Sequence, residues 1–165
     1  MHEEQNVQNT GASKMYVISI VALMFVIPIA GAASAYFSRS ADILFNSFIK
    51  WFIFSAVGLR LTLAGLRQIT KPAFTVKEIF HIQGTDSFPV VRELGFANLC
   101  FGLVGIVSLF KPEWRIVSAF ASGLYYGCAG AMHIIKRPAG TNERIALWTD
   151  LFAFAILIMY FVKNY

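Results

Sequence analysis

The chain has 165 residues, of which 57% are hydrophobic and 14% are charged, and its formal net charge is +5. A soluble domain of this length needs a larger charged fraction to cover its surface, so the composition indicates a membrane protein. The positive excess is spread over the loops and forms no basic face with interleaved aromatic residues, which argues against nucleic acid as a partner. Membrane lipids are therefore the first expected partners.

The predicted elements begin with a polar tail and continue as five apolar stretches. Residues 1–13, MHEEQNVQNTGAS, show no periodicity and predict a disordered cytoplasmic tail. Each later stretch approaches the roughly 20 residues that cross a hydrocarbon core about 30 Å thick. The sequence predicts an all-α polytopic membrane bundle, a single unit over residues 14–165, with transmembrane helices at residues 16–37, 43–66, 89–110, 114–135 and 145–162.

The first apolar stretch also has a feature of a cleaved signal peptide. Ala33, Ser34 and Ala35 have the small-x-small form of a cleavage site. The apolar run is long for a signal and acidic residues precede it, so we expect a retained helix that bends at Pro28. Cleavage would leave four transmembrane helices, each with the same orientation.

The loop between the second and third stretches carries a helical pattern of its own. Residues 74–82, FTVKEIFHI, place Val76, Ile79 and Phe80 on one side of a helix and Lys77 off it. This pattern predicts a short helix over residues 76–82 that lies along the membrane interface.

Loop charges predict the orientation of the bundle. One side of the membrane collects eight Lys and Arg residues and the other side four, and an excess of this kind marks the cytoplasmic side. The N-terminus is therefore predicted to be cytoplasmic. The richer side has Lys14, Arg67, Lys71, Lys77, Arg92, Lys136, Arg137 and Arg144, and the poorer side has Arg39, Lys111, Arg115 and Lys163.

Polar residues within the predicted helices concentrate in the cytoplasmic half. Because polar side chains are costly inside a membrane, each is a candidate for function. We predict a ligand-binding polar cluster, open to the cytoplasm, formed by Arg60, Glu93, Asn98, Tyr126, His133 and Asp150. Charged residues nearer the helix ends, namely Arg67, Arg92 and Glu143, are expected to extend to the interface instead.

Each member of this cluster also has a purely structural interpretation. Arg60 needs a counter-ion, and either Glu93 or Asp150 could pair with it without any ligand. His133 could lock two helices together, or pass protons with Glu93 or Asp150. The sequence leaves these alternatives open.

Small residues form two stripes at helical spacing, and both predict close helix packing. Asn98 lies on the first stripe, so it could be either a hydrogen bond between helices or a contact to a ligand. The two stripes are expected to pack on each other or on the second helix. The first contains Gly95, Asn98, Gly102 and Gly105, and the second contains Ala119, Gly123, Gly127 and Ala131.

Cysteine usage and motifs give no support to a metal site or a cofactor. Cys100 and Cys128 fall in the middle of apolar stretches, outside any CxxC pair, and are expected to be small buried residues. Whether they meet is left open. No familiar catalytic or nucleotide-binding signature is present, so we expect neither metal nor cofactor.

The second half of the chain resembles a known family through three segments, VRELGFANLCFGLVGIVSLFKPEWR, GLYYGCAGAMHIIKRPAGTNE and LWTDLF. They are similar to an uncharacterised family of small bacterial multi-pass membrane proteins, and more loosely to the DoxX-like four-helix proteins, some of which are linked to quinone-dependent redox chemistry. The resemblance implies a helical bundle in a bacterial inner membrane. It assigns no catalytic residue.

These observations lead to a non-enzymatic hypothesis with two alternatives. The leading hypothesis is a membrane subunit, or a ligand- or lipid-binding protein, whose polar cluster binds a small polar or lipophilic molecule. The first alternative is a redox or quinone-interacting enzyme subunit in which His133 and Glu93 transfer protons, and the second is a small transporter. A homo-oligomer or a larger membrane complex is also compatible with the sequence.

Overall fold

A computed structural model of the chain describes residues 14–37, 44–80, 82–138 and 140–165, and within them it contains helices and no strand. The predicted all-α bundle is confirmed. Its long helices are α1 (Lys14–Phe37), α2 (Leu44–Thr70), α3 (Phe88–Phe110), α4 (Trp114–Lys136) and α5 (Thr141–Asn164). The predicted disordered tail lies outside the described residues.

Four of the long helices, α1, α2, α3 and α5, are long and apolar enough to cross a membrane. These spans indicate a multi-pass membrane protein. Helix α4 equals α3 in length at 23 residues, but small and polar side chains such as Ser118 and Ser122 lower its apolar character. Both serines are fully buried, because this face of α4 lies inside the bundle.

Two of the helices contain a π-helical segment. In α1 the segment Ala22–Val26 lies just before Pro28, which has no N–H to donate and whose ring displaces the preceding turn. The α-helix continues through Pro28, and the bend predicted there stays a prediction. In α2 the segment Ile53–Leu59 is longer, and Arg60 follows it directly.

The loop between α2 and α3 contains a single π-helical turn, Thr75–Ile79, which we call the loop helix. It is shorter than the predicted helix over residues 76–82. Val76 is fully buried, and the turn packs against α3 and α5 rather than lying on the surface of the bundle. The loop helix therefore covers one end of the bundle, the end at which α2 and α4 finish and α3 and α5 begin.

Glycines bring α2 and α3 into close contact. A Cβ atom on Gly65 would lie 2.5 Å from the carbonyl oxygen of Gly95, and one on Gly105 would lie 2.6 Å from the nitrogen of Gly58. The first stripe thus packs on α2, one of the two predicted options. The second stripe does not, since Gly123 and Gly127 face Leu157, Ile158 and Phe154 of α5.

Replacing Gly65 with alanine is expected to destabilise the bundle, because the new Cβ would meet backbone atoms that cannot rotate away. We expect a loss of about 1–3 kcal/mol, measured as a lower melting temperature of the detergent-purified protein. Gly123→Ala is the matched control, since its Cβ would meet only side-chain atoms of α5, at 3.3 Å or more. Equal shifts in the two variants would contradict the close α2–α3 packing.

Candidate functional site

The centre of the site is a buried ion pair between α2 and α5. Nη2 of Arg60 lies 2.9 Å from Oδ1 of Asp150, and the two side chains are 13% and 10% exposed. The same nitrogen donates to Oγ1 of Thr149 at 3.0 Å. Of the two carboxylates predicted as partners of Arg60, the structure therefore selects Asp150.

The π-helical segment of α2 shapes the surroundings of Arg60. The N–H of Arg60 bonds to the carbonyl oxygens of Ser55 and Val57, whereas in an α-helix it would bond to Ala56. The carbonyl oxygen of Ala56 instead accepts a hydrogen bond of 2.6 Å from the hydroxyl of Tyr126. The Tyr126 ring then lies beside the guanidinium of Arg60, with 5.1 Å between its centroid and Cζ.

Asn98 forms a second polar contact, between α3 and α2. Its amide donates to Oε1 of Gln68 at 2.6 Å, and Asn98 is only 3% exposed. Asn98 therefore has the interhelical role that its glycine stripe allowed. Its Oδ1 is buried and has no hydrogen-bond partner among the residues described.

A third cluster of polar side chains lies at the end of the bundle that the loop helix covers. Nδ1 of His133 and Nζ of Lys136 lie 3.6 and 3.5 Å from Oε1 of Glu143, which is fully buried. Lys136 also donates to the carbonyl oxygen of Phe80, next to the loop helix. The prediction that Glu143 extends to the interface is wrong, because the first turn of α5 is covered where these elements meet.

Side chains from each of these three polar clusters, though not Thr149 or Glu143, line one cavity of about 620 Å³ whose wall is otherwise mainly apolar. All five long helices and the loop helix contribute to it. Five of the six predicted site residues line the cavity, namely Arg60, Asn98, Tyr126, His133 and Asp150.

Glu93 is the predicted residue that does not reach the cavity. It is exposed, and it lies outside the cavity wall. At about 100° per residue, Glu93 is about 140° around α3 from Asn98, which is buried against α2. The shared site of Glu93 with Arg60 and His133 is therefore not formed, and Glu143 is the carboxylate beside His133.

Several residues of the site were missed from the sequence. Tyr16 and Ser19 line the cavity from the N-terminal part of α1. Thr149, whose hydroxyl bonds to the carbonyl oxygen of Ile145 as many helical hydroxyls do, also accepts from Arg60. Gln68 and Arg67 were recognisable in principle, because they follow Arg60 by two turns of α2. Both line the cavity.

The two cysteines are free and exposed, so the expectation that they are buried is wrong. Cys128 lines the cavity on α4, whereas Cys100 lies outside it on α3. Among the residues that the structure describes, no three His, Cys, Asp or Glu side chains converge as metal ligands would.

A family model described as a family of unknown function, DUF6790, matches residues 18–165. The chain belongs to the DUF6790 family. The match includes the cavity wall from Ser19 onward, together with Arg60, Asn98 and Asp150. No curated protein and no solved structure matches the chain.

Coupling between Arg60 and Asp150 is expected to be strong, because removing one partner leaves an uncompensated buried charge. We expect Asp150→Leu to cost about 3–5 kcal/mol, and the double variant Arg60→Met/Asp150→Leu to cost much less than the sum of its two single variants. Thermal unfolding of the wild type, the two single variants and the double variant measures the coupling energy of the pair. Arg92→Met, which removes an exposed cation, should change stability by less than about 0.5 kcal/mol. Additive losses would contradict the coupling.

Proposed function

We propose that this membrane protein binds an amphiphilic small molecule or lipid in the cavity. An uncharged polar group of the ligand contacts the wall formed by Arg60, Asn98 and Asp150, and its apolar part contacts the remaining wall. The observation that carries the proposal is the presence of a buried ion pair in the wall of a mainly apolar cavity.

The hydrogen bonding around the ion pair is incomplete within the described residues. Nη1 of Arg60 and Oδ1 of Asn98 are buried, and neither has a hydrogen-bond partner among the described residues. An unsatisfied buried polar atom costs about 1–3 kcal/mol. Both atoms face protein rather than the cavity, so a bound molecule could reach them only after a local rearrangement of the Arg60 and Asn98 side chains.

The size and lining of the cavity suit the same ligand class. Small-molecule sites have volumes of about 300–1,000 Å³, with apolar walls and a few placed polar groups. The volume of about 620 Å³ falls within that range. Because Asp150 already neutralises Arg60, the inner polar wall favours an uncharged hydrogen-bonding group, such as a carbonyl or hydroxyl, over a second anion.

The end of the cavity near the loop helix, at Arg67 and Lys136, is called its mouth here. The predicted orientation would place this mouth on the cytoplasmic side, since Arg67, Lys71 and Lys136 lie at the loop-helix end. The redox alternative retains one supporting observation, His133 beside a buried carboxylate. That carboxylate is Glu143 rather than Glu93, so proton transfer would use His133 and Glu143. A quinone would then be the bound molecule.

Native mass spectrometry of the detergent-purified protein tests the proposal. We expect a co-purifying molecule of amphiphilic character, and its chemical identity decides between a lipid and a quinone. A second copy of the chain or another membrane subunit would be detected in the same spectrum. An empty protein under conditions that retain other bound lipids would contradict the proposal.

Filling the cavity should remove the bound molecule. Ala129 lines the cavity, whereas Ala131 on the same helix is exposed outside it. We therefore expect Ala129→Trp to lose the co-purifying mass and Ala131→Trp to retain it. Retention in both variants would place the molecule elsewhere on the protein.

A further inference from the structure

Positive charge is in excess at the mouth of the cavity. Three cationic side chains line the cavity, namely Arg60, Arg67 and Lys136. Arg60 pairs with Asp150, and Lys136 lies 3.5 Å from Glu143. Arg67 pairs with no carboxylate in the part of the chain that the structure describes. The inner wall is thus electrically balanced, and the mouth is not.

Arg67 is held in a position that suits an anion. Its guanidinium lies over the ring of Phe74, with 3.5 Å between Cζ and the ring centroid. Stacking of this kind occupies a face of the guanidinium plane and leaves the N–H donors along its edge. Those donors match a carboxylate or phosphate in bidentate geometry. Because Arg67 is itself exposed, a head group can reach it without displacing the core.

The cavity wall continues to the outer surface of the helices. Leu63 on α2 and Met132 on α4 line the cavity and are 54% and 61% exposed. Cys128, one turn before Met132, is exposed as well. In a membrane these apolar edges face hydrocarbon, so an acyl chain can pass sideways between the bundle interior and the lipid.

The loop helix covers the other approach to the cavity. Phe74, Ile79 and Phe80 line the cavity from this side. Nζ of Lys136 donates to the carbonyl oxygen of Phe80 and lies 5.5 Å from the centroid of the Phe80 ring. These contacts narrow the approach from the loop-helix end, whereas the described residues place no such cover over the edge at Leu63 and Met132.

From these four observations we infer that the ligand is an anionic amphiphile taken from the membrane, whose carboxylate or phosphate head binds Arg67. The inference rests on the proposed function and specifies its ligand class. Arg67 follows Arg60 by seven residues, so the anionic head lies about 10 Å along α2 from the inner polar wall at about 1.5 Å per residue. The uncharged group contacts the inner wall, and the chain occupies the apolar space between them and the membrane-facing edge.

Protection of Cys128 from a small maleimide tests the inference, with Cys100 in the same protein as the internal control. The protein is reconstituted in phosphatidylcholine nanodiscs, and labelling of the two cysteines is followed by peptide mass spectrometry. The probes are monoolein, its hemisuccinate and oleoyl lysophosphatidate, which share an oleoyl glycerol unit and carry no charge, a carboxylate or a phosphate. We expect both anionic probes to protect Cys128 at about tenfold lower concentration than monoolein, while Cys100 labelling is unchanged.

Two variants assign the selectivity to Arg67. In Arg67→Gln we expect the anionic probes to need the same concentration as monoolein, whereas Arg92→Gln, an exposed cation outside the cavity wall, should retain the wild-type difference. A stronger effect of one anionic probe identifies the head as carboxylate or phosphate.

The remaining outcomes separate this inference from the proposed function. Equal protection by all three probes would overturn the anionic ligand and leave binding in the cavity intact. Parallel protection of Cys100 and Cys128 would show adsorption to the protein surface and would also overturn it. Protection by none of the probes, together with an empty native mass spectrum, would overturn the proposed function itself.

Discussion

The ion pair between Arg60 and Asp150 joins α2 to α5 in the wall of the cavity. A charge at this depth is tolerated only when it is paired and hydrogen-bonded, so α5 must present Asp150 and Thr149 together to one guanidinium nitrogen. Helix α4 completes the arrangement with the ring of Tyr126 beside the guanidinium. One side chain of α2 thus contacts both α4 and α5.

The π-helical segment of α2 connects backbone geometry to this pair. By shifting the hydrogen-bond register it directs the N–H of Arg60 to Ser55 and Val57 and makes the carbonyl oxygen of Ala56 the acceptor for Tyr126. A regular α-helix would use that carbonyl within its own ladder. π-Helical segments are frequent at functional sites, and here the segment supplies a contact between helices rather than a ligand.

Features that depend on one helix, such as a packing stripe, could be predicted from the sequence. Features that depend on the relative rotation of two helices, such as the partner of a buried charge, could not. Glycines at helical spacing on α3 predicted close packing, and the depth of Arg60 predicted a buried partner. The choice between Glu93 and Asp150 needed the rotation of α3 relative to α2, which glycine contacts with α2 determine. Glu143 was misassigned for a related reason, since its burial depends on the loop helix and α4 covering the start of α5. The helical periodicity of one segment does not show which other elements pack over it.

The division of charge along the cavity limits what the site can hold. The inner wall has a paired cation and anion, so it favours an uncharged polar group over a second anion. Two turns along α2 the balance reverses, because Arg67 is stacked on Phe74 and has no carboxylate beside it in the described chain. A molecule that satisfies both positions carries an uncharged polar group and an anionic group about 10 Å apart. The mainly apolar remainder of the wall favours an apolar chain in the same molecule. A lone inorganic anion would satisfy the mouth only, and a wholly apolar molecule would satisfy neither.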